Sequence, residues 1–178
     1  MAMPGLMATD ERKLLRIYLN DHLAGATAGI HLARRCLSSN QGTALGAFLE
    51  ELLVEIGEDR TTLMDLMDAL HLTRDPAKQA LAVVGERVAR LKLNGRLRGY
   101  SDLSRLVELE GLVGGVNVKR RLWHALQRVA SSYAAIGATD LDRLIHRADS
   151  QLERLETYRQ EAAARAFATV REPSEPRA

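Results

Sequence analysis

The sequence predicts an all-α protein: a four-helix bundle with an additional shorter crossover helix. First, apolar residues recur at alternating steps of three and four, the spacing of one helix face. Leu15, Leu19, His22, Ala26, Ile30, Ala33 and Leu37 do so early in the chain, and Leu45, Leu49, Leu52, Ile56, Asp59, Leu63, Leu66 and Leu70 follow. Second, aromatic residues are only 4% of the chain, so the core must be aliphatic and rich in alanine, which suits helices packed on helices. Third, four long helical patterns fall into two hairpins with a shorter pattern between them.

The elements follow in order. Residues 1–8 read as a flexible arm, 9–169 as one helical-bundle domain and 170–178 as a disordered tail. The first helix begins near Thr9 or Asp10, whose neighbour Glu11 also suits the positive end of a helix dipole, and runs to about Ser38. Gly25 and Gly29 stand four apart within it. Each costs about 1 kcal/mol against alanine, which points to a closely approaching helix, with room for a ligand as the alternative. Ser38 to Gly42 is a turn by composition, and the second helix runs from about Thr43 to Leu70. Asp75 is the expected N-cap of the shorter helix, with Pro76 at its first position. Ala77, Leu81, Val84, Val88 and Leu91 form its apolar face, and Asn94-Gly95 its end. At 1.5 Å per residue such a helix of about 18 residues spans roughly 27 Å, nearly a bundle length. The next helix starts at Ser101 or Asp102 and reaches about Tyr133, with Gly111, Gly114 and Gly115 marking where it can kink or break. Gly137 marks a turn, and Thr139 with Asp142 forms a box-like cap for the last helix. Leu141, Leu144, Ile145, Ala148, Leu152, Leu155 and Ala162 line that helix's inner face.

Composition narrows the function. The 25 basic and 23 acidic residues balance too evenly for a nucleic-acid binder. No run approaches the roughly 20 apolar residues of a membrane span. A single cysteine, Cys36, cannot close an internal disulfide and fits a reducing, cytoplasmic setting. There is no phosphate loop, nucleophile elbow or zinc spacing.

Two long hairpins joined by a crossover resemble the ferritin-like superfamily. The stretches Tyr18-Leu-Asn-Asp-His-Leu-Ala-Gly, Glu58-Asp-Arg60, Lys92-Leu-Asn-Gly-Arg96 and Leu106-Val-Glu-Leu-Glu-Gly111 look like those of a bacterial family of similar length to which no activity is assigned. The resemblance covers about residues 10–168 and implies ferritin-like connectivity. The superfamily's di-metal site takes a glutamate from each of two helices and a Glu-x-x-His from each of the other two. This chain has no Glu-x-x-His: arginine stands three residues before both His124 and His146, and His71 has Asp68 there. That departure argues against oxidase and iron-storage chemistry.

His22 and Asp59 interrupt the two apolar faces and lie equally far from the turn between Ser38 and Thr43, so a hairpin is expected to bring them together in the interior. The structural reading is a polar brace that sets helix register. The functional one is a single divalent ion, such as iron, manganese or zinc, held by His22, Glu55 and Asp59 with a fourth group. With the second and third long helices parallel, Asp59 is level with Asn117, and Glu108 and Glu110 are spread over other turns. Lys119-Arg-Arg121 reads as solvated helix surface, Trp123 as core or bundle edge, and His31, His71, His124 and His146 as surface. Cys36 reads as a small packed residue. The expected function is a non-enzymatic helical bundle acting in protein interaction or assembly, as a homodimer or with another protein and without a cofactor. The alternative is a degenerate ferritin-like protein with one metal ion. An apolar small-molecule carrier using space beside Gly25 and Gly29 is the third reading.

Overall fold

The computed structural model describes residues 4–77 and 100–167, with side chains from residue 10. The crossover-helix pattern beyond Ala77 and the tail at 170–178 lie outside the described residues. Every element described is helical: α1 (Pro4–Ser38), α2 (Ala44–Ala69), α3 (Asp102–Val129), a 3₁₀ turn (Ala130–Ser132), the short α4 (Ala134–Gly137) and α5 (Leu141–Phe167). None is long and apolar enough to cross a membrane. Helix α1 begins at Pro4, so residues 4–8, expected in the arm, are helical.

Local chemistry sets the ends. The Thr43 side chain accepts from the Gly46 N–H and the Ser101 side chain from the Ser104 N–H, at 3.0 and 3.1 Å, capping α2 and α3. Asp140, not Thr139, caps α5: its carboxylate accepts the Arg143 N–H at 3.0 Å, while the Thr139 hydroxyl turns back to the Ala135 carbonyl. Past α2, His71 takes a left-handed φ of 52°. The buried Asn20 of α1 then holds the outgoing chain, donating to the Thr73 carbonyl (3.0 Å) and accepting from the Asp75 N–H (2.6 Å). Asp75 accepts the Ala77 N–H at 3.0 Å, as the expected cap requires. Helix α3 runs unbroken through Gly111, Gly114 and Gly115.

Helices α1 and α5 each lie between α2 and α3, α5 packing closely on α3 and only lightly on α2. Cross-links show their directions. Tyr158 meets the Ala44 carbonyl, Arg154 meets Glu51 and Arg147 meets Asp59, so α5 is antiparallel to α2. Helices α2 and α3 begin at the same end, where Asn40 reaches Tyr100 and Arg105, and run in the same direction. The end of α2 and the start of α3 are therefore at opposite ends of the bundle.

The core divides in two. Near the α1–α2 turn, Ala33, Cys36, Phe48, Leu49, Leu52, Leu109, Leu112, Val116 and Leu155 pack together. Near the other end, Leu19, Leu23, Leu63, Met67, Leu122, Trp123, Leu126, Ile136 and Leu144 form a second cluster. Between Leu52 and Leu63 on α2, and between Val116 and Leu122 on α3, lies a layer that is polar on one side and hollow on the other.

Candidate functional site: a cleft beside a buried ion network

The polar side of this layer joins α2, α3 and α5. Asp59 is 3% exposed. Its Oδ2 accepts from Lys119 Nζ and its Oδ1 from an Arg147 guanidinium nitrogen. Lys119 donates also to Gln151 Oε1, and the Gln151 amide donates to Glu55 Oε2 at 2.7 Å. Arg147 reaches Glu58 Oε2 at 2.6 Å. A carboxylate removed from water is thus shared between two cations, each with a second acceptor, which is what burial of charge requires. Burial moves the Lys119 pKa below its ordinary value, against the pull of Asp59. Burial also opposes the charge on Arg147, but Asp59 and Glu58 outweigh it and raise its pKa.

Asp59 is the buried interruption of its helix face, but its partners are not those expected. His22 is absent from both carboxylate oxygens. The cause is a rotation of α1: Leu19, Leu23, Ala33 and Cys36 are buried, while Leu15, Ile30 and Leu37 are only half-buried. Because α1 faces both α2 and α3, its buried face bisects the two, and Leu23 rather than His22 points to the centre. His22 sits half-buried, edge-on to the Tyr18 ring at 4.5 Å between centroids. Glu55 is half-buried and bonded to Gln151. Among the described residues no three His, Cys, Asp or Glu side chains converge as metal ligands, so His22, Glu55 and Asp59 do not form the expected ligand set.

Lys119 corrects a second expectation: it is network core, not solvated surface. The signal was present, since Leu112, Val116, Lys119, Trp123 and Leu126 step by three and four. Gln151 occupies the same kind of position between Ala148 and Leu155. Arg121 and His124 are exposed, and Trp123 is core at 1% exposure. His71 and His146 are exposed as well, and His31 is half-buried.

The α1 side of the layer is open. A cleft of about 430 Å³ runs between α1 and α3, with α2 as its floor. Tyr18, His22, Gly25 and Gly29 form one wall, Gly111, Gly114, Gly115 and Val118 the other, and Leu52, Ile56 and Leu63 the floor. A Cβ built on Gly25 or Gly29 meets nothing within 4 Å. These glycines therefore do not mark the close helix approach expected of them; of the glycines lining the cleft only Gly111 is tight, where a Cβ would come 2.8 Å from Leu32 Cδ2. Asp59, Arg60 and Lys119 edge the cleft, and Arg60 Nε donates to Thr27 Oγ1 at 3.2 Å.

A second polar cluster ties the α1–α2 turn to the start of α3. Arg35 Nε and the Tyr100 hydroxyl donate to the two oxygens of Glu108 at 2.7 and 3.0 Å. Asn40 donates to Tyr100 Oη at 3.0 Å and accepts from Arg105 Nε at 2.8 Å. Cys36 is fully buried there, and burial beside Glu108 pushes its thiol up to about 12, so it holds no nucleophilic thiolate near neutrality.

Comparison with family models, with curated proteins and with solved structures finds no match. Any function for the cleft therefore rests on its own chemistry.

Proposed function

We propose that this chain is a non-enzymatic helical bundle, of ferritin-like connectivity, that takes up an apolar guest in the α1–α3 cleft. The carrying observation is the cleft itself: about 430 Å³, within the range of ligand pockets, mostly apolar, with a few polar groups at one level. The same direction of α2 and α3 supports the connectivity. The charged groups near the cleft support a binding role over a catalytic one, because Asp59 and Lys119 are engaged with each other and with Arg147 and Gln151.

The assembly reading keeps one observation. Leu14 and Val118, 66% and 52% exposed, and Tyr18 at 37% present apolar surface on the helices that form the cleft. An apolar side chain from a second copy or another protein would then be the guest.

N-phenyl-1-naphthylamine, an uncharged probe that brightens in apolar surroundings, tests the proposal, with energy transfer from Trp123, the only tryptophan. Saturable uptake of one probe per chain is expected, and its loss in a Gly25→Leu/Gly29→Leu variant of unchanged helicity. The proposal fails if uptake is absent or if the filled variant binds equally well. Sedimentation of the same two proteins tests assembly: a dimer that the filled variant loses favours a protein guest.

A further inference from the structure

The cleft has an internal polarity that specifies its guest. Toward the α1–α2 turn its walls are Gly25 and Gly29 on one side and Gly111, Gly114 and Gly115 on the other, above Leu52 and Ile56. This half offers flat, apolar surface and almost no side-chain hydrogen bonding. One level along stand the polar residues: Tyr18, Asp21 and His22 from α1, Asp59 and Arg60 from α2, and Lys119 from α3. Most are already satisfied. Asp59 has Lys119 and Arg147, Lys119 has Asp59 and Gln151, Arg60 has Thr27, and Asp21 is engaged as well. Of these six, the two that remain are neighbours; Trp123, which also lines the cleft, has a buried Nε1 without a hydrogen-bond partner among the described residues. Tyr18 and His22 contact each other ring-edge to ring-face, and neither the phenol nor the imidazole nitrogens hydrogen-bond to another described residue.

We infer that the guest is an uncharged amphipath, an apolar body with one hydroxyl or carbonyl head, whose body lies between the glycine walls and whose head bonds to Tyr18 and His22. This rests on the proposed uptake of a guest by the cleft. A carboxylate head is disfavoured because the cations at this level are matched by Asp59 and its neighbours, and an unpaired charge in an apolar cleft costs far more than a neutral polar group. An ammonium head meets the same obstacle, since Asp59 is already shared between two cations. The head site has a built-in proton dependence. Burial keeps the His22 pKa below its ordinary value although Asp21 pulls it upward, so the ring is neutral at neutral pH and can both donate and accept. Protonation removes the ring's acceptor nitrogen.

Displacement of N-phenyl-1-naphthylamine by decan-1-ol, decanoate and decylammonium separates the possibilities on the full chain. Decan-1-ol is expected to displace the probe at a concentration at least about tenfold lower than either ion at about pH 7.5. His22→Phe, which keeps an aromatic edge against Tyr18, should weaken decan-1-ol several-fold relative to the probe measured in the same variant. His22→Gln should keep decan-1-ol affinity and remove its decline between about pH 7 and pH 5. Tightest binding of decanoate or decylammonium, or decan-1-ol affinity unchanged in His22→Phe, overturns the head assignment and leaves the cleft reading standing. If the probe itself is not taken up, because the cleft is closed or another part of the chain fills it, both fall.

Discussion

One layer of this bundle is built in two opposite ways. On the α2–α3–α5 side its centre is filled by Asp59, Lys119, Gln151 and Arg147, packed beside the fully buried Ala148 and Leu155. On the α1 side the chain supplies Gly25, Ala26 and Gly29, and among the described residues the space stays open. The difference follows from side-chain length. A long side chain can leave a helix face, cross the interior and place its charge on a partner, whereas glycine leaves a void that its own side chain cannot fill. The filled side shows how this fold tolerates charge inside; the hollow side is where function is to be sought.

The sharpest way to break the comparison is on the filled side. Asp59→Ala leaves Lys119 and Arg147 without their shared carboxylate, and breaking a buried ion cluster in this way costs about 3–5 kcal/mol. Urea unfolding should show the loss in the transition midpoint. Asp59→Leu combined with Lys119→Met replaces charge by apolar volume and should recover part of it, because the uncompensated lysine is gone. A double variant no more stable than Asp59→Ala would mean that Arg147 dominates the penalty.

Adding carbon then contrasts the two sides. Ala148 on α5 is fully buried among α2 and α3 residues, so Ala148→Leu should destabilise by about 1–3 kcal/mol through overpacking. At Gly25 and Gly29 a new Cβ meets nothing, so Gly25→Ala and Gly29→Ala should each stabilise by about 0.5–1 kcal/mol, from helix propensity alone. Gly111→Ala should gain less, since its Cβ would press on the movable Leu32 Cδ2. Thermal midpoints measured side by side test the order. A loss at Gly25 or Gly29 would mean that the hollow side is already full in solution.

Much of the architecture was legible because periodicity reports buried faces directly. The α2 stripe from Leu45 to Leu66, with Asp59 inside it, matches the structure closely: Leu45, Leu49, Leu52, Asp59, Leu63 and Leu66 are all buried. Helix α1 was less legible. A helix wedged between two neighbours buries a broader arc, and nothing in a step of three or four tells Leu23 from His22. That ambiguity sent Asp59 to the wrong partner. Lys119 and Gln151 were missed for another reason: a polar residue on an apolar stripe reads as an error of register unless the opposing charge is also placed, and Arg147 lies off the predicted α5 stripe. The cleft was legible only as a pair of open alternatives for Gly25 and Gly29, because whether a glycine admits a helix or an empty space depends on the distance between two helices remote in sequence.

The smallest expected effect sharpens the hollow side. His22 is half-buried in the cleft wall, and its pKa lies below the ordinary 6.5, chiefly through loss of hydration. Below its unfolded pKa such a ring binds fewer protons folded than unfolded, so folding stability is intact above about 6.5 and declines as pH falls through the lowered value. His22→Gln should flatten the thermal midpoint over that interval and leave it unchanged at about pH 8. Occupancy by decan-1-ol should magnify the wild-type slope, because a hydroxyl that donates to the neutral ring loses its acceptor as the ring protonates and stabilises the folded chain progressively less. The two curves, with and without decan-1-ol, should therefore converge toward about pH 5 in the wild type and stay parallel in His22→Gln. Parallel curves in both proteins would place the head of the guest away from His22.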